Sequence, residues 1–173
     1  MRRHTPHAFD RAVQTANVWL KDIEKAGRLR SRFQAYAVLR SVLHALRDCL
    51  PPAEAVKFSA QMPMMIKGVF YDGWKLAPKP LRLSREDFRA YVHRGLKEEE
   101  GGVVPAVALK AVLSALRHHI SPTVLETLQL VLPREVRAEV HAALAELYAE
   151  EAVGTTNASK NWIESEMGGP FGE

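Results

Sequence analysis

The sequence predicts an all-α protein, an internally duplicated helical bundle of seven or eight helices. The stretch Val38–Phe70, VLRSVLHALRDCLPPAEAVKFSAQMPMMIKGVF, returns without a gap as Ala108–Val140, ALKAVLSALRHHISPTVLETLQLVLPREVRAEV. At an offset of 70, Leu39, Val42, Leu43, Ala45, Leu46, Arg47, Pro52 and Pro63 meet Leu109, Val112, Leu113, Ala115, Leu116, Arg117, Pro122 and Pro133. Apolar residues recur at spacings of three and four through both copies, and prolines mark where one helix ends and the next begins.

Thr5 and Pro6 form a hydroxyl cap followed by Pro at the first helical position. Phe9, Val13, Ala16, Leu20 and Ile23 then make a stripe that Gly27 ends, with Trp19 at its edge. A second helix is expected from Ser31 to Leu50, with Leu39, Val42, Leu43, Leu46 and Leu50 on its buried side. Pro51 ends it and Pro52 opens a third helix, in which Val56, Ser59 and Ala60 leave room for close packing. A short fourth helix runs from Met64 to Phe70. The loop 71–83 carries Gly73, Pro78 and Pro80 as breakers. Ser84 with Asp87 three residues on then resembles a capping box, opening a helix that presents Phe88, Val92 and Leu96.

The second copy's long helix starts at Pro105, with Leu109, Val112, Leu113, Leu116 and Ile120 as its stripe. Ser121 and Pro122 are a cap and first position for the next helix, lined by Leu125, Leu128 and Leu132. After Pro133 a last helix carries Val136, Val140, Ala143, Leu144 and Leu147 to about Glu151. The expected divisions are a first repeat with its loop over 1–83, a second over 84–152, and a polar, Gly-rich tail over 153–173, all within one domain. That tail contains Trp162, Ile163, Met167 and Phe171, side chains a solvating segment seldom includes, which marks it as a docking segment.

With 47% apolar and 25% charged residues, the composition is that of a globular protein. Cys49 is the only cysteine, which excludes an intramolecular disulfide and a cysteine-based zinc site. No apolar h-region follows the basic start, and no stretch is long and apolar enough to span a bilayer, so the expectation is a soluble cytoplasmic protein. Charge is uneven. Residues 1–95 carry 18 Lys and Arg against 8 Asp and Glu, and residues 96–173 carry 6 against 12. Such polarity either neutralises itself within the molecule or steers an acidic partner to the first half.

The run AYAVLRSVLHALRDCLPPAEAVKFSAQMPMMIKGVFYDGW, followed by a Pro-containing loop and SREDFRAYV, resembles the bacterial family catalogued as domain of unknown function 2267. The resemblance covers roughly residues 8–150 and implies an all-helical, internally duplicated fold. It brings no catalytic residues with it.

The chain's own residues point the same way. No HExxH, EF-hand loop, Gly-rich phosphate loop or nucleophile elbow is present, and no helix sets two His four residues apart. Adjacent His118 and His119 point in different directions, which leaves metal binding to a non-sequential set such as His44, His93 and His141. Glu135, Glu139, Glu146 and Glu150 read as the solvated face of a helix, and Cys49 as a packed thiol. Neither a metal nor an organic cofactor is expected.

Lys25, Arg28, Arg30 and Arg32 form a basic junction that Arg40 and Arg47 extend at heptad spacing, a candidate anion-binding set. Lys110 and Arg117 are the repeat counterparts of the last two. Trp74 with Lys75 and Lys79 could border a groove, although a Trp folded back onto the core is the plainer reading. The leading expectation is a non-catalytic protein-interaction module, with a protein partner or self-association as a homodimer. A small-molecule or polyanion binder using the basic first half comes second, with nucleic acid disfavoured by the acidic second half. An enzyme with a scattered site comes third.

Overall fold

The computed structural model describes residues 6–76, 80–96 and 102–167, with side chains as far as 153. Over them the chain forms α1 (His7–Ala26), α2 (Arg32–Asp48), α3 (Pro52–Ser59), α4 (Met64–Tyr71), α5 (Arg85–Gly95), α6 (Pro105–His119), α7 (Pro122–Val131) and α8 (Arg134–Met167), with no strand among the described residues. The all-α bundle expected from the periodicity is the observed fold.

The two long apolar helices, α2 and α6, form its centre. Residues Ser41 to Leu50 are buried without interruption, so α2 is covered on every side rather than along one stripe. The cover comes from α1, α4, α5 and α6. The leading helix of each half packs on the long helix of the other: α1 lies most extensively on α6, and α5 on α2. The two halves therefore interlock.

Several local expectations change with that arrangement. Trp19 is at the centre of α1's buried face, 1% exposed, while Phe9 and Val13 lie in solvent at 53% and 48%. Residues 7–11 in the first turns of α1 are all exposed, so the apolar stripe begins before the buried part of the helix. Pro6 is the N-cap of α1 rather than its first residue, and Thr5 falls outside the described residues. In α3 the buried residues are Ala55, Phe58 and Ser59, and Val56 and Ala60 face out. Ser121 does not cap α7 with its hydroxyl. Its Oγ accepts from Gln61 Nε2 at 3.2 Å, and its backbone N–H donates to Gln61 Oε1 at 2.8 Å, tying the α3–α4 turn to the start of α7. Ser84 does cap α5, accepting from Asp87 N–H at 3.0 Å while its hydroxyl donates to the Asp87 carboxylate.

The largest departure is at the C-terminal end. A single helix, α8, runs from Arg134 to Met167, across the expected boundary near residue 152. Gly154 costs a helix only about 1 kcal/mol, and Pro170 is the first proline after Pro133, so no residue in between forces a stop. Trp162, Ile163 and Met167 lie on its backbone with side chains outside the described residues, and Phe171 is wholly outside them. The late glutamates are not simply solvated either. Glu139 is 6% exposed and takes two hydrogen bonds from Arg89, at 2.7 and 3.0 Å, with Arg85 at 3.4 Å, which clamps α5 to α8. Lys110 pairs with Glu146 and Glu150, and Arg117 with Glu151, fastening α6 to the later turns of α8.

Candidate functional site

The cations read from the sequence as one anion-binding set separate into three environments. The first is buried. Arg47 is 3% exposed, and its Nε donates to Asp48 Oδ1 at 2.9 Å. Its Nη1 donates to the carbonyls of Phe70 at 2.6 Å and Asp72 at 3.0 Å. These carbonyls lie at the end of α4, where intrahelical donors run out. Asp48 completes the network by accepting from the Tyr91 hydroxyl of α5 at 2.5 Å. Arg47 is thus spent on holding α2, α4 and α5 together and is not available to a ligand.

The second environment is a pocket of about 340 Å³ beside that network, lined by Arg40, Ser41, His44, Tyr91, Arg94 and Gly95. Arg40, Ser41, His44, Arg47 and Asp48 share one side of α2 because they follow one another at helical spacing. The end of α5 comes close because residue 95 is glycine. A Cβ there would meet Ser41 Oγ at 2.3 Å and its Cα at 3.2 Å. Ser41 uses its hydroxyl to donate to the Val92 carbonyl. His44 sets Nε2 against the Val69 carbonyl at 2.7 Å, so Nε2 carries the proton and Nδ1 is left over. Burial lowers the His44 pKa, and the charges of Arg47 and Arg40 push it the same way against the Val69 hydrogen bond. Arg94 stacks over the Tyr91 ring at 5.4 Å. Arg40 pairs with the exposed Asp72 at 3.0 Å.

The third environment is an open groove of about 490 Å³ at the α1–α2 junction, lined by Lys21, Glu24, Lys25, Arg28, Leu29 and Arg32. Glu24 is the one acid in the lining and is engaged by Arg32 at 2.8 Å. Arg28 stands at φ 49, the left-handed position that ends α1 and that glycine usually fills. The Leu29 N–H returns to the Glu24 carbonyl and the Arg28 N–H to that of Lys25, as such an ending requires. Gly27, one residue earlier, keeps an ordinary helical φ. It is needed instead for room, since a Cβ there would lie 3.2 Å from that of Ala111 on α6. Arg30 is exposed nearby, outside the lining, with its N–H bonded to Gln34.

Trp74 packs back on the core against Tyr71, with ring centroids 5.3 Å apart, while Lys75 is exposed and Lys79 lies outside the described residues. His118 and His119 do diverge. One reaches the Ser114 carbonyl, and the other stacks on Trp19 and meets Asp22 of α1 at 2.7 Å. Among the described residues no three His, Cys, Asp or Glu side chains gather where they would hold a metal ion, and no helix is long and apolar enough to cross a membrane.

Residues 16–139 match the model of a family described as Uncharacterized conserved protein (DUF2267). The chain belongs to this family. The DUF2267 match takes in both the pocket and the groove and stops within α8, ahead of the exposed residues 148–153. No curated protein matches the chain. Tyr91 and Arg94 could not be joined to Arg40 from spacing, because they reach α2 only through the tertiary contact of α5. A readable signal was nonetheless present: polar residues at 40, 41, 44, 47 and 48 interrupt a helix whose neighbouring positions are apolar.

Proposed function

We propose that this DUF2267 protein is a non-catalytic interaction module whose groove at the α1–α2 junction receives an acidic segment of a partner protein. The observation that carries the reading is the groove's composition: Lys21, Lys25, Arg28 and Arg32 gather there around one carboxylate. Arginine and lysine clusters of this kind recognise acidic or phosphorylated segments through charge-assisted hydrogen bonds. The charge polarity supports it too. Arg32, Arg40 and Lys57 pair with acids of their own half, so the acidic late residues do not quench the groove. Holding Arg28 in a left-handed backbone costs about 1–2 kcal/mol relative to glycine, a cost that a charge needed at that spot accounts for.

The halves read as copies of one unit in this proposal. The starts of α3 and α7, Pro52 and Pro122, and of α4 and α8, Met64 and Arg134, both fall at the offset of 70. A bacterial cytoplasmic setting fits a chain whose one cysteine is a buried thiol.

Arg28→Gly is the discriminating test, since it removes a cation and relieves the backbone together. We expect it to raise stability by about 1 kcal/mol in denaturant titration. Binding of a fluorescent poly-glutamate peptide should weaken about threefold to tenfold by anisotropy, and added salt should weaken the wild type steeply. Absence of wild-type binding at low salt would overturn the reading. Tighter binding of a DNA duplex than of the peptide would replace it with a polyanion binder.

A further inference from the structure

A second pocket lies between α2 and α5, separate from the groove. Among the described residues its lining holds two guanidinium groups, a histidine and a tyrosine, and no carboxylate. Asp48, the acid behind it, is taken up by Arg47 and by the Tyr91 hydroxyl. Asp72, which pairs with Arg40, has a side chain 60% exposed and stands outside the lining, so an incoming anion exchanges it for a drier partner. Arg94 has no ion pair among the described residues. Its guanidinium carbon lies over the Tyr91 ring, 5.4 Å from the centroid. The wall between the two arginines is rigid: Ser41 is bonded to Val92, His44 to Val69, and Tyr91 to Asp48. A pocket of about 340 Å³ is at the small end of ligand sites.

We propose that this pocket binds a small oxyanion, a carboxylate or a phosphate group on a compact molecule, between Arg40 and Arg94 with His44 at its base. Planar guanidinium forks match both kinds of oxyanion. His44 makes the binding proton-linked. Among the described residues the charged and titratable groups around it are Arg40, Arg47 and Asp48 on α2, Tyr91 and Arg94 on α5, and Asp72 paired with Arg40, with the Val69 carbonyl from α4. Empty, the pocket keeps His44 neutral. A bound anion offsets the arginines and favours a second proton on Nδ1, so affinity rises as pH falls through the imidazole range.

The experiment is a ¹H–¹⁵N titration of the full chain with inorganic phosphate and, separately, with succinate, which tells the two oxyanion sources apart. Sulfate, whose charge is constant, serves for the pH series. The expected result is saturable shifts of the backbone amides of Ser41, His44 and residues 91–95 with at least one probe. Affinity for sulfate should increase about threefold or more from about pH 7.5 to about pH 5.5. Arg94→Ala and Arg40→Ala, both at accessible side chains, should each weaken binding about tenfold, and Arg94→Lys less. Lys25→Glu and Arg28→Gly should leave this binding unchanged even where they weaken peptide binding at the groove. No saturable shift at the pocket with phosphate, succinate or sulfate would overturn the proposal. So would binding that survives loss of both arginines, or shifts that map to residues 21–32 instead.

Discussion

A buried arginine is tolerated only when its donors are satisfied, and Arg47 shows how one residue joins three helices by meeting that demand. Its partner Asp48 also accepts from the Tyr91 hydroxyl across the α2–α5 seam. Burial raises the Tyr91 pKa first, and the hydrogen bond and negative charge of Asp48 add to it, to about 12. A phenol that holds its proton more tightly when folded stabilises the protein fully below its unfolded pKa, about 10, and loses that contribution as pH rises through about 12. Wild-type stability should therefore fall across this window, and Tyr91→Phe, which cannot ionise, should fall less. At neutral pH the same variant should be less stable by about 1–2 kcal/mol, since a buried acceptor loses its donor. Denaturant titrations at several pH values check both. Parallel pH profiles for the two proteins would show that folding leaves the Tyr91 hydroxyl unperturbed.

At the scale of the helix, apolar periodicity was legible wherever a helix is buried, and α1 and α8 show where that signal ends. Period and burial go together, because selection for an apolar stripe acts only where a face meets the core. The stripe of α8 stops at Leu147, the last buried residue among the side chains described, so the helix looked finished there although the backbone continues to Met167. In α1 the error had the opposite sign, a stripe through Phe9 and Val13 that stays about half exposed. The site divided in the same manner. Arg40 and Arg47 were visible at heptad spacing, but which of them is buried depends on α4 and α5, and no local pattern encodes that. For α8 the consequence is testable. Residues Tyr148 to Val153 are all exposed, and the pairs with Lys110 and Arg117 end at Glu151. Removing residues 154–173 should leave the fold intact and lower Tm by no more than about 2–4 °C, as read from a circular-dichroism melt. A much larger drop would mean that Trp162, Ile163 or Met167 packs on the body.

For the molecule as a whole, the exchange of leading helices decides whether the two halves are separable. Were each half its own lobe, cutting the α4–α5 loop would leave two small folded bundles. Here Trp19 and Ile23 of α1 belong to a helix that packs on α6 about as extensively as on α2 and α4 together, and Phe88 and Val92 of α5 to one that packs chiefly on α2. Full burial of such a side chain contributes about 1.5–3 kcal/mol. Exposing two in each fragment removes roughly 3–6 kcal/mol, against a total stability of about 5–15 kcal/mol for a whole domain. Each fragment also loses the central α2–α6 contact. Residues 1–83 and 84–173 made separately should therefore each lack a cooperative thermal transition, despite residual helicity. Mixed, they should recover one, and the fluorescence of Trp19 should shift blue as α6 covers it again. A cooperative melt by either fragment alone would place the stability within a single half and refute the interlocked reading.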